Sequence, residues 1–270
     1  MSEKTLIARH AFTVWVGQLA VMAFGVTDTV VAGRYDPTAL AALSVGSAVY
    51  ISVFVTLMGL LQATLPMLSE LHGAQRHADM GRLMRQSIYI WLGASALGMA
   101  VLMNAGMALE WTQVPMPLRP TIEHYLDVLA AALPAALAFR LYGNLNQSLG
   151  RPKAVTWVQL LGLACKIPLS IVLTFDWGAG LGVLGCALAT LIVNWLMAAF
   201  ATLALLRGDY GTLHLWKRME PPNARKLGDM LKLGLPNAGS ITVEVTSYTL
   251  MALLISRLGS TAAASHQIMS

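Results

Sequence analysis

The segment at residues 11–33 reads AFTVWVGQLAVMAFGVTDTVVAG and is apolar over nearly its whole length, with one ionisable residue, Asp28. A helix needs about 20 predominantly apolar residues to cross the hydrocarbon core of a bilayer, so this segment predicts a membrane-spanning helix. An ionisable side chain at that depth costs about 2.5 to 3.5 kcal/mol even on lenient insertion scales. We therefore expect Asp28 to face a partner or a water-filled cavity rather than lipid.

Similar runs recur along the chain. They lie at residues 39–69, 86–109, 128–149, 154–175, 177–206 and 233–256. The whole sequence is 56% hydrophobic and 11% charged, with a mean hydropathy of +0.63, which is outside the range of soluble domains. The sequence predicts an all-α integral membrane protein with seven spanning helices. The run at 39–69 is longer than a bilayer requires, so we expect its end near Pro66 to leave the membrane.

Lysine and arginine set the expected orientation, because cytoplasmic loops are enriched in them. With a cytoplasmic N-terminus, only Arg34, Arg119 and Arg257 lie outside. The basic residues of the cytoplasmic side are Lys4, Arg9, Arg76, Arg82, Arg85, Arg151, Lys153, Arg207, Lys217, Arg218, Arg225, Lys226 and Lys232. This asymmetry explains the net charge of +5, so the charge gives no support for nucleic-acid binding.

Four of the apolar runs carry one ionisable residue each, namely Asp28, Arg140, Lys166 and Glu244. Two acids and two bases inside a helix bundle indicate a transport pathway. Glu244 lies about 20 Å from the outer end of its helix, near the midplane, where a carboxylate is most costly. Arg140 lies about 14 Å from the cytoplasmic end of its helix, so anchoring at the interface and contact with substrate both remain open.

Depth along the helices predicts which of these residues meet. With a rise of 1.5 Å per residue, Asp28 and Ser170 lie about 8 Å from the outer ends of their helices, and Lys166 and Thr190 about 14 Å. A lysine side chain spans about one helical turn, which brings an Asp28 to Lys166 ion pair within reach. The sequence contains no catalytic motif and no metal-ligand spacing, so we expect neither an enzyme nor a bound cofactor.

An internal repeat indicates how the helices are arranged. Arg34 and Thr38 follow the first helix as Arg257 and Thr261 follow the seventh, at a separation of 223 residues. After six crossings, the seventh helix would start again from the cytoplasm, as a parallel repeat requires. We expect one complete six-helix repeat and the start of a second, as in a fragment of a protein of about 450 residues.

The ordered motifs resemble the multidrug and toxic compound extrusion (MATE) family, in its NorM-type bacterial branch. They are GVTDTVVAG (25–33), LHGAQRHADMGRLMRQ (71–86), FRLY (139–142), GRPKA (150–154), LGVLGCALAT (181–190), LGLPNAGSITVEV (233–245) and RLGSTAAASHQI (257–268). The resemblance implies twelve helices in two six-helix lobes, which export organic cations in exchange for Na⁺ or H⁺. The expected domains are an N-terminal six-helix lobe at 1–206, a cytoplasmic inter-lobe linker at 207–232, and the start of a second lobe at 233–270.

The resemblance also assigns roles to particular residues. Asp28 and Thr190 stand where the family has its helix-one aspartate and its helix-six cavity threonine, and Glu244 matches the helix-seven glutamate of the second-lobe cation site. In helix five, where the family usually reads Asn-Ile-Pro-Leu-Asn or a variant ending in Asp, this chain has Lys166 and Ser170 at the two ends of KIPLS. A cation thus replaces a cavity amide, which argues against a Na⁺ site in that lobe.

The sequence therefore predicts a multidrug efflux transporter of the bacterial inner membrane, exporting amphipathic organic cations in antiport with H⁺ or Na⁺. Its expected partners are those organic cations, the coupling cation, the lipid bilayer and the missing second lobe of the same protein. Two alternatives stay open. One is a flippase for lipid-linked substrates, whose cavity would need more Arg and Lys to bind phosphates. The other is a truncated membrane fragment that does not transport.

Overall fold

A computed structural model describes residues 3–106, 109, 116–208, 210–213, 215 and 220–256, where every regular element is helical. For residues 3–10, 212, 245–246 and 248–256 it describes the backbone alone. The helices are α1 (Glu3–Tyr35), α2 (Pro37–Gln62), α3 (Thr64–Gly73), α4 (His77–Met103), α5 (Arg119–Ser148), α6 (Pro152–Thr174), α7 (Val183–Arg207) and α8 (Ala224–Ser256). The predicted all-α fold is confirmed.

Six spans in the described residues are long and apolar enough to cross a membrane. They are Ala11–Tyr35, Pro37–Gly73, His77–Met103, Met116–Ser148, Pro152–Thr174 and Val183–Arg207. They correspond to the first six predicted runs. The seventh run, 233–256, lies within α8 and is helical, but several of its side chains lie outside the described part of the chain.

The long second run is divided into two helices. Asp36 caps α2, because its carboxylate accepts hydrogen bonds from the backbone nitrogens of Thr38 and Ala39 at 3.0 and 3.2 Å. The helix ends at Gln62, and α3 begins at Thr64. Asn144 of α5 donates from Nδ2 to the Leu61 carbonyl at 3.0 Å and to Thr64 Oγ1 at 2.9 Å. These bonds satisfy polar groups that the break exposes.

Several helix ends differ from the limits of the apolar runs. α4 begins at His77 and α5 at Arg119, nine residues before the predicted starts at 86 and 128, because polar residues continue a helix outside the hydrocarbon core. α7 begins later than predicted, at Val183 rather than 177. Residues Gly180 and Gly182 have φ of +64° and +55°, so they form a turn in a conformation that glycine adopts readily.

α5 lies at the centre of the bundle and packs against α2, α3, α4 and α7. Its residues Leu126, Leu129, Leu133 and Leu137 are at most 2% exposed and recur at helical spacing, so they form a stripe through the core. α1 packs against α6, and α6 packs against α7. Large exposed apolar side chains lie on the outer helices, as expected for a surface that meets lipid: Trp15, Met22, Trp157, Trp195 and Phe200.

α8 packs mainly against α2. Asn237 donates from Nδ2 to the Gly59 carbonyl at 2.8 Å, and the hydroxyls of Thr56 and Thr242 lie 3.0 Å apart. Such polar contacts between helices are common in membrane bundles. The start of α8 therefore lies against the second spanning helix of the bundle.

The linker that precedes α8 docks on α4. Arg85 donates from Nη2 to Glu220 Oε1 at 2.9 Å, and Tyr89 donates its hydroxyl to the Glu220 carbonyl at 2.9 Å. Gln86 donates from Nε2 to the Pro221 carbonyl at 3.1 Å and accepts at Oε1 from the backbone nitrogen of Asn223 at 2.9 Å. The hydrogen bond from Arg85 lowers the pKa of the Glu220 carboxyl, and Arg82 adds to this effect.

Candidate functional site

Asp28 and Lys166 form a buried ion pair between α1 and α6. Lys166 Nζ lies 2.9 Å from Asp28 Oδ2, as the depth argument predicts. The two side chains are 12% and 1% exposed, so lipid and solvent scarcely reach them. Each charge therefore depends on the other, because a buried charge without a partner is strongly unfavourable.

Two hydroxyls complete the cluster. Ser170 donates from Oγ to Asp28 Oδ1 at 3.4 Å, and Lys166 donates from Nζ to Thr190 Oγ1. Thr190 in turn donates to the Cys186 carbonyl at 2.9 Å. Lys166 Nζ also lies 5.4 Å from the centre of the Phe24 ring, a distance at which a cation and an aromatic face attract each other. The structure thus brings together four of the six predicted site residues.

The turn between α6 and α7 positions this cluster. The backbone nitrogens of Leu181 and Gly182 donate to the carbonyls of Leu173 and Thr174 at 3.0 and 3.1 Å. Gly185 then packs directly on the α6 backbone, where a Cβ atom would lie 2.5 Å from the Leu173 carbonyl carbon. Because α7 approaches α6 so closely, the Thr190 hydroxyl reaches the Lys166 ammonium.

A cavity of about 390 Å³ adjoins the cluster and is lined by α1, α2, α5, α6 and α7. Thr190 and Phe24 belong both to the cluster surroundings and to the cavity wall. The rest of the wall is rich in aromatic and sulfur-containing side chains, including Tyr50, Phe54, Phe139, Met58 and Met197. Such walls suit flat apolar molecules, and methionine adapts to different shapes.

Arg140 lies apart from the ion pair, at the wall of the same cavity. It donates from Nη2 to Gln62 Oε1 at 3.3 Å, while its buried Nε atom has no hydrogen-bond partner among the described residues. Of the two alternatives left open by the sequence, the position at the cavity fits contact with substrate.

Glu244 lies on α8 and is exposed on this chain. It makes no hydrogen bond or ion pair with the residues that the structure describes. The structure therefore does not bring Glu244 to the Asp28 cluster.

The donor set at Asp28 bears on the coupling ion. The carboxylate and the two hydroxyls are oxygen ligands of the kind that hard cations prefer. However, the Lys166 ammonium already occupies the position between Asp28 and Thr190. Within the described ranges, no group of three or more His, Cys, Asp or Glu side chains is arranged to hold a metal ion.

Sequence reasoning missed several cavity residues. Gln18, Gln159 and Asn194 are amides inside apolar helices and line the cavity, and Gln62 is the hydrogen-bond partner of Arg140. The signal was present, because a polar amide at membrane depth is itself uncommon and needs a partner. The aromatic residues gave no such signal, since they are equally common on lipid-facing surfaces.

The sequence model of the MatE family matches residues 14–172. The probable multidrug resistance protein NorM of Aromatoleum aromaticum is 38% identical over 266 residues, which cover 97% of this chain and 57% of that protein. Its counterpart in Chromobacterium violaceum is 36% identical over 278 residues, with 99% and 58% covered. The chain therefore spans less than two thirds of the length of these relatives.

Solved structures share the fold. A MATE protein in complex with MaD5 superposes with a TM-score of 0.87 at 19% identity, covering 98% of this chain and 60% of that one. The Vibrio cholerae MATE transporter VcmN in its bent form superposes with a TM-score of 0.86 at 19% identity, covering 98% and 59%. Because the family model matches more than half of the sequence and the helices superpose on MATE structures, this chain belongs to the MatE family.

Proposed function

We propose that this chain forms the N-terminal lobe, and the first helix of the second lobe, of a multidrug efflux transporter. The transporter exports amphipathic organic cations in antiport with H⁺ or Na⁺. The observation that carries the proposal is the buried cluster of Asp28, Lys166, Ser170 and Thr190 beside an aromatic cavity. The name of the NorM relatives, multidrug resistance protein, supports the same function.

The proposed division of the chain is a lobe at 1–206, a cytoplasmic linker at 207–232 and the start of the second lobe at 233–270. The hydrogen bonds of Glu220 and Asn223 to α4 support a linker that follows the lobe surface. The excess of Lys and Arg in alternate loops supports a cytoplasmic N-terminus in the bacterial inner membrane. The remaining partner is a second lobe, which would cover the exposed face of α8.

For coupling, we propose that the N-terminal lobe exchanges a proton at Asp28. Lys166 already neutralises the ionised carboxylate, so it takes the place of an exchangeable Na⁺ in this lobe. A proton on Asp28 would remove the negative charge and leave Lys166 without its partner, which favours a rearrangement of α1 against α6. Glu244, on the exposed part of α8, would supply a second coupling carboxylate together with side chains of the second lobe.

The flippase alternative is weaker. A cavity for lipid-linked phosphates would require several unpaired basic side chains. Here Lys166 is paired with Asp28, and Arg140 is the single basic residue that lines the cavity in the described residues. A fragment that does not transport stays an alternative, which the transport test below separates from the main proposal.

An accumulation assay tests the proposed function. Cells that express the protein should retain less of a fluorescent amphipathic cation than cells with an empty vector, and collapse of the proton gradient should abolish the difference. Asp28→Asn should lose efflux at normal expression, whereas Asp127→Asn, a change of the same kind at an exposed residue of α5, should keep it. Equal efflux in Asp28→Asn and wild type would contradict the proposal.

A further inference from the structure

The cavity beside the ion pair has an aromatic wall and a polar end. The aromatic wall comes from Phe24, Tyr50, Phe54 and Phe139. At the polar end, Gln18, Arg140 and Gln159 line both the cavity and a small adjoining recess of about 50 Å³. A molecule that fits this space would have a flat apolar body and a polar group at one end.

The charge of the cavity is positive. None of its described lining residues is an aspartate or a glutamate, and Arg140 supplies a guanidinium. Asp28 does not offset this charge, because its carboxylate is already paired with Lys166 at 2.9 Å. The net charge that a bound molecule meets at this wall is therefore that of Arg140.

Arg140 has unused hydrogen-bonding capacity. A guanidinium has five N–H donors, and the bond printed by the geometry goes to the neutral Gln62 amide at 3.3 Å. Its Nε atom is buried without a partner in the described part of the chain, and none of the described carboxylates lies within ion-pairing distance. Because a buried, unpaired charge is unfavourable, the site favours an anion that accepts from the guanidinium.

We propose that this cavity binds an aromatic molecule that carries a carboxylate, with the carboxylate on Arg140 and the ring system among the aromatic side chains. The Gln18 and Gln159 amides are close enough to the same end of the cavity to donate to the second carboxylate oxygen or to a bridging water. This inference goes beyond the proposed function, because an organic cation has no group that accepts from Arg140. It adds acidic aromatic compounds to the substrates of the transporter.

Three matched probes test the proposal on the chain itself in nanodiscs. They share a naphthalene ring and differ in the polar group: 1-naphthylacetate, 1-naphthaleneethanol and (1-naphthylmethyl)trimethylammonium. Binding of the radiolabelled probes is measured by scintillation proximity, after subtraction of the signal from empty nanodiscs. We expect the carboxylate to bind about tenfold more tightly than the alcohol, as one charge-assisted hydrogen bond provides, and the cation to bind most weakly.

Variants assign the preference to Arg140. Arg140→Gln should remove the tenfold advantage of the carboxylate over the alcohol, and Arg140→Lys should keep part of it, since lysine retains the charge but not the planar donor fork. Arg34→Gln is the matched control, because it removes the same charge from an exposed position at the end of α1 and should change nothing. The comparison of the three probes on wild-type protein needs no variant. Equal binding of carboxylate and alcohol, or tighter binding of the cation, would overturn the proposal.

Discussion

Lys166 Nζ lies 2.9 Å from Asp28 Oδ2, although the two residues are 138 positions apart in the sequence. The pair joins α1 to α6 in a region where neither charge can turn to water. Ser170 and Thr190 bind its two ends, so the whole cluster acts as one hydrogen-bonded unit. This coupling gives a direct stability prediction.

Removal of one member of the pair should destabilise the folded chain more than removal of both. Asp28→Asn and Lys166→Met should each lower the free energy of unfolding by about 3 to 5 kcal/mol, because the remaining charge is left buried and unpaired. The double variant should lose less than the sum of the two. Unfolding by denaturing detergent measures all three. Losses that add within about 0.5 kcal/mol would show that the residues are not coupled.

Glu244 should matter for transport but not for the stability of this chain. Its side chain is exposed and has no partner among the described residues, so Glu244→Gln should change the free energy of unfolding by no more than about 0.5 kcal/mol. In a protein that joins this chain to a second lobe, the same change should abolish cation-coupled efflux, because glutamine cannot titrate. Efflux at the wild-type rate, measured at matched expression, would remove Glu244 from the coupling machinery.

The linker should loosen when Glu220 loses its charge. The hydrogen bond from Arg85 holds the pKa of Glu220 below its ordinary value of 4.5, so this contribution is fully present above pH 4.5 and is lost as the pH falls through the lower, folded-state pKa. Arg85→Gln should therefore raise amide hydrogen exchange in residues 220–227 at neutral pH. Arg82, whose Nε lies 3.6 Å from Glu220 and whose side chain is 54% exposed, is the matched control and should have a smaller effect. Equal effects of the two variants would contradict this account of the linker.

The close approach of α7 to α6 should tolerate no side chain at Gly185. A Cβ atom there would lie 2.5 Å from the Leu173 carbonyl carbon, so Gly185→Ala must shift the backbone of one helix and should cost about 1 to 3 kcal/mol. Gly93→Ala is the control, because a Cβ at Gly93 meets nothing within 4 Å. Thermal unfolding in detergent compares the two. A Gly185→Ala protein as stable as the control would refute the packing argument.

The sequence was sufficient for the helices and for the central pair, for a physical reason in each case. Long apolar runs have one stable form in a bilayer, because only a helix satisfies every backbone group within one segment. Asp28, Lys166, Ser170 and Thr190 could be placed together because the rise of a helix converts sequence position into depth. Their depths agreed even though their angular positions around the bundle were unknown.

The break at Ala63 and the docking of the linker could not be read in the same way. The break depends on Asn144, which lies about 80 residues away and donates to Leu61 and Thr64 across the bundle. The contacts of Arg85 and Gln86 with the linker depend on the path of an irregular segment, which has no periodicity to interpret. The position of Arg140 at a cavity likewise depends on which face of α5 meets α1, α2, α6 and α7.

The most direct test of the account is the identity of the coupling ion, measured with the intact transporter in proteoliposomes. Uptake of a fluorescent organic cation is followed under an imposed pH gradient without Na⁺, and under an imposed Na⁺ gradient without a pH difference. Because Lys166 occupies the site where this lobe would bind Na⁺, the pH gradient should drive transport with wild-type Asp28 and should fail with Asp28→Asn. Transport driven by the Na⁺ gradient alone, or pH-driven transport that survives Asp28→Asn, would contradict the account.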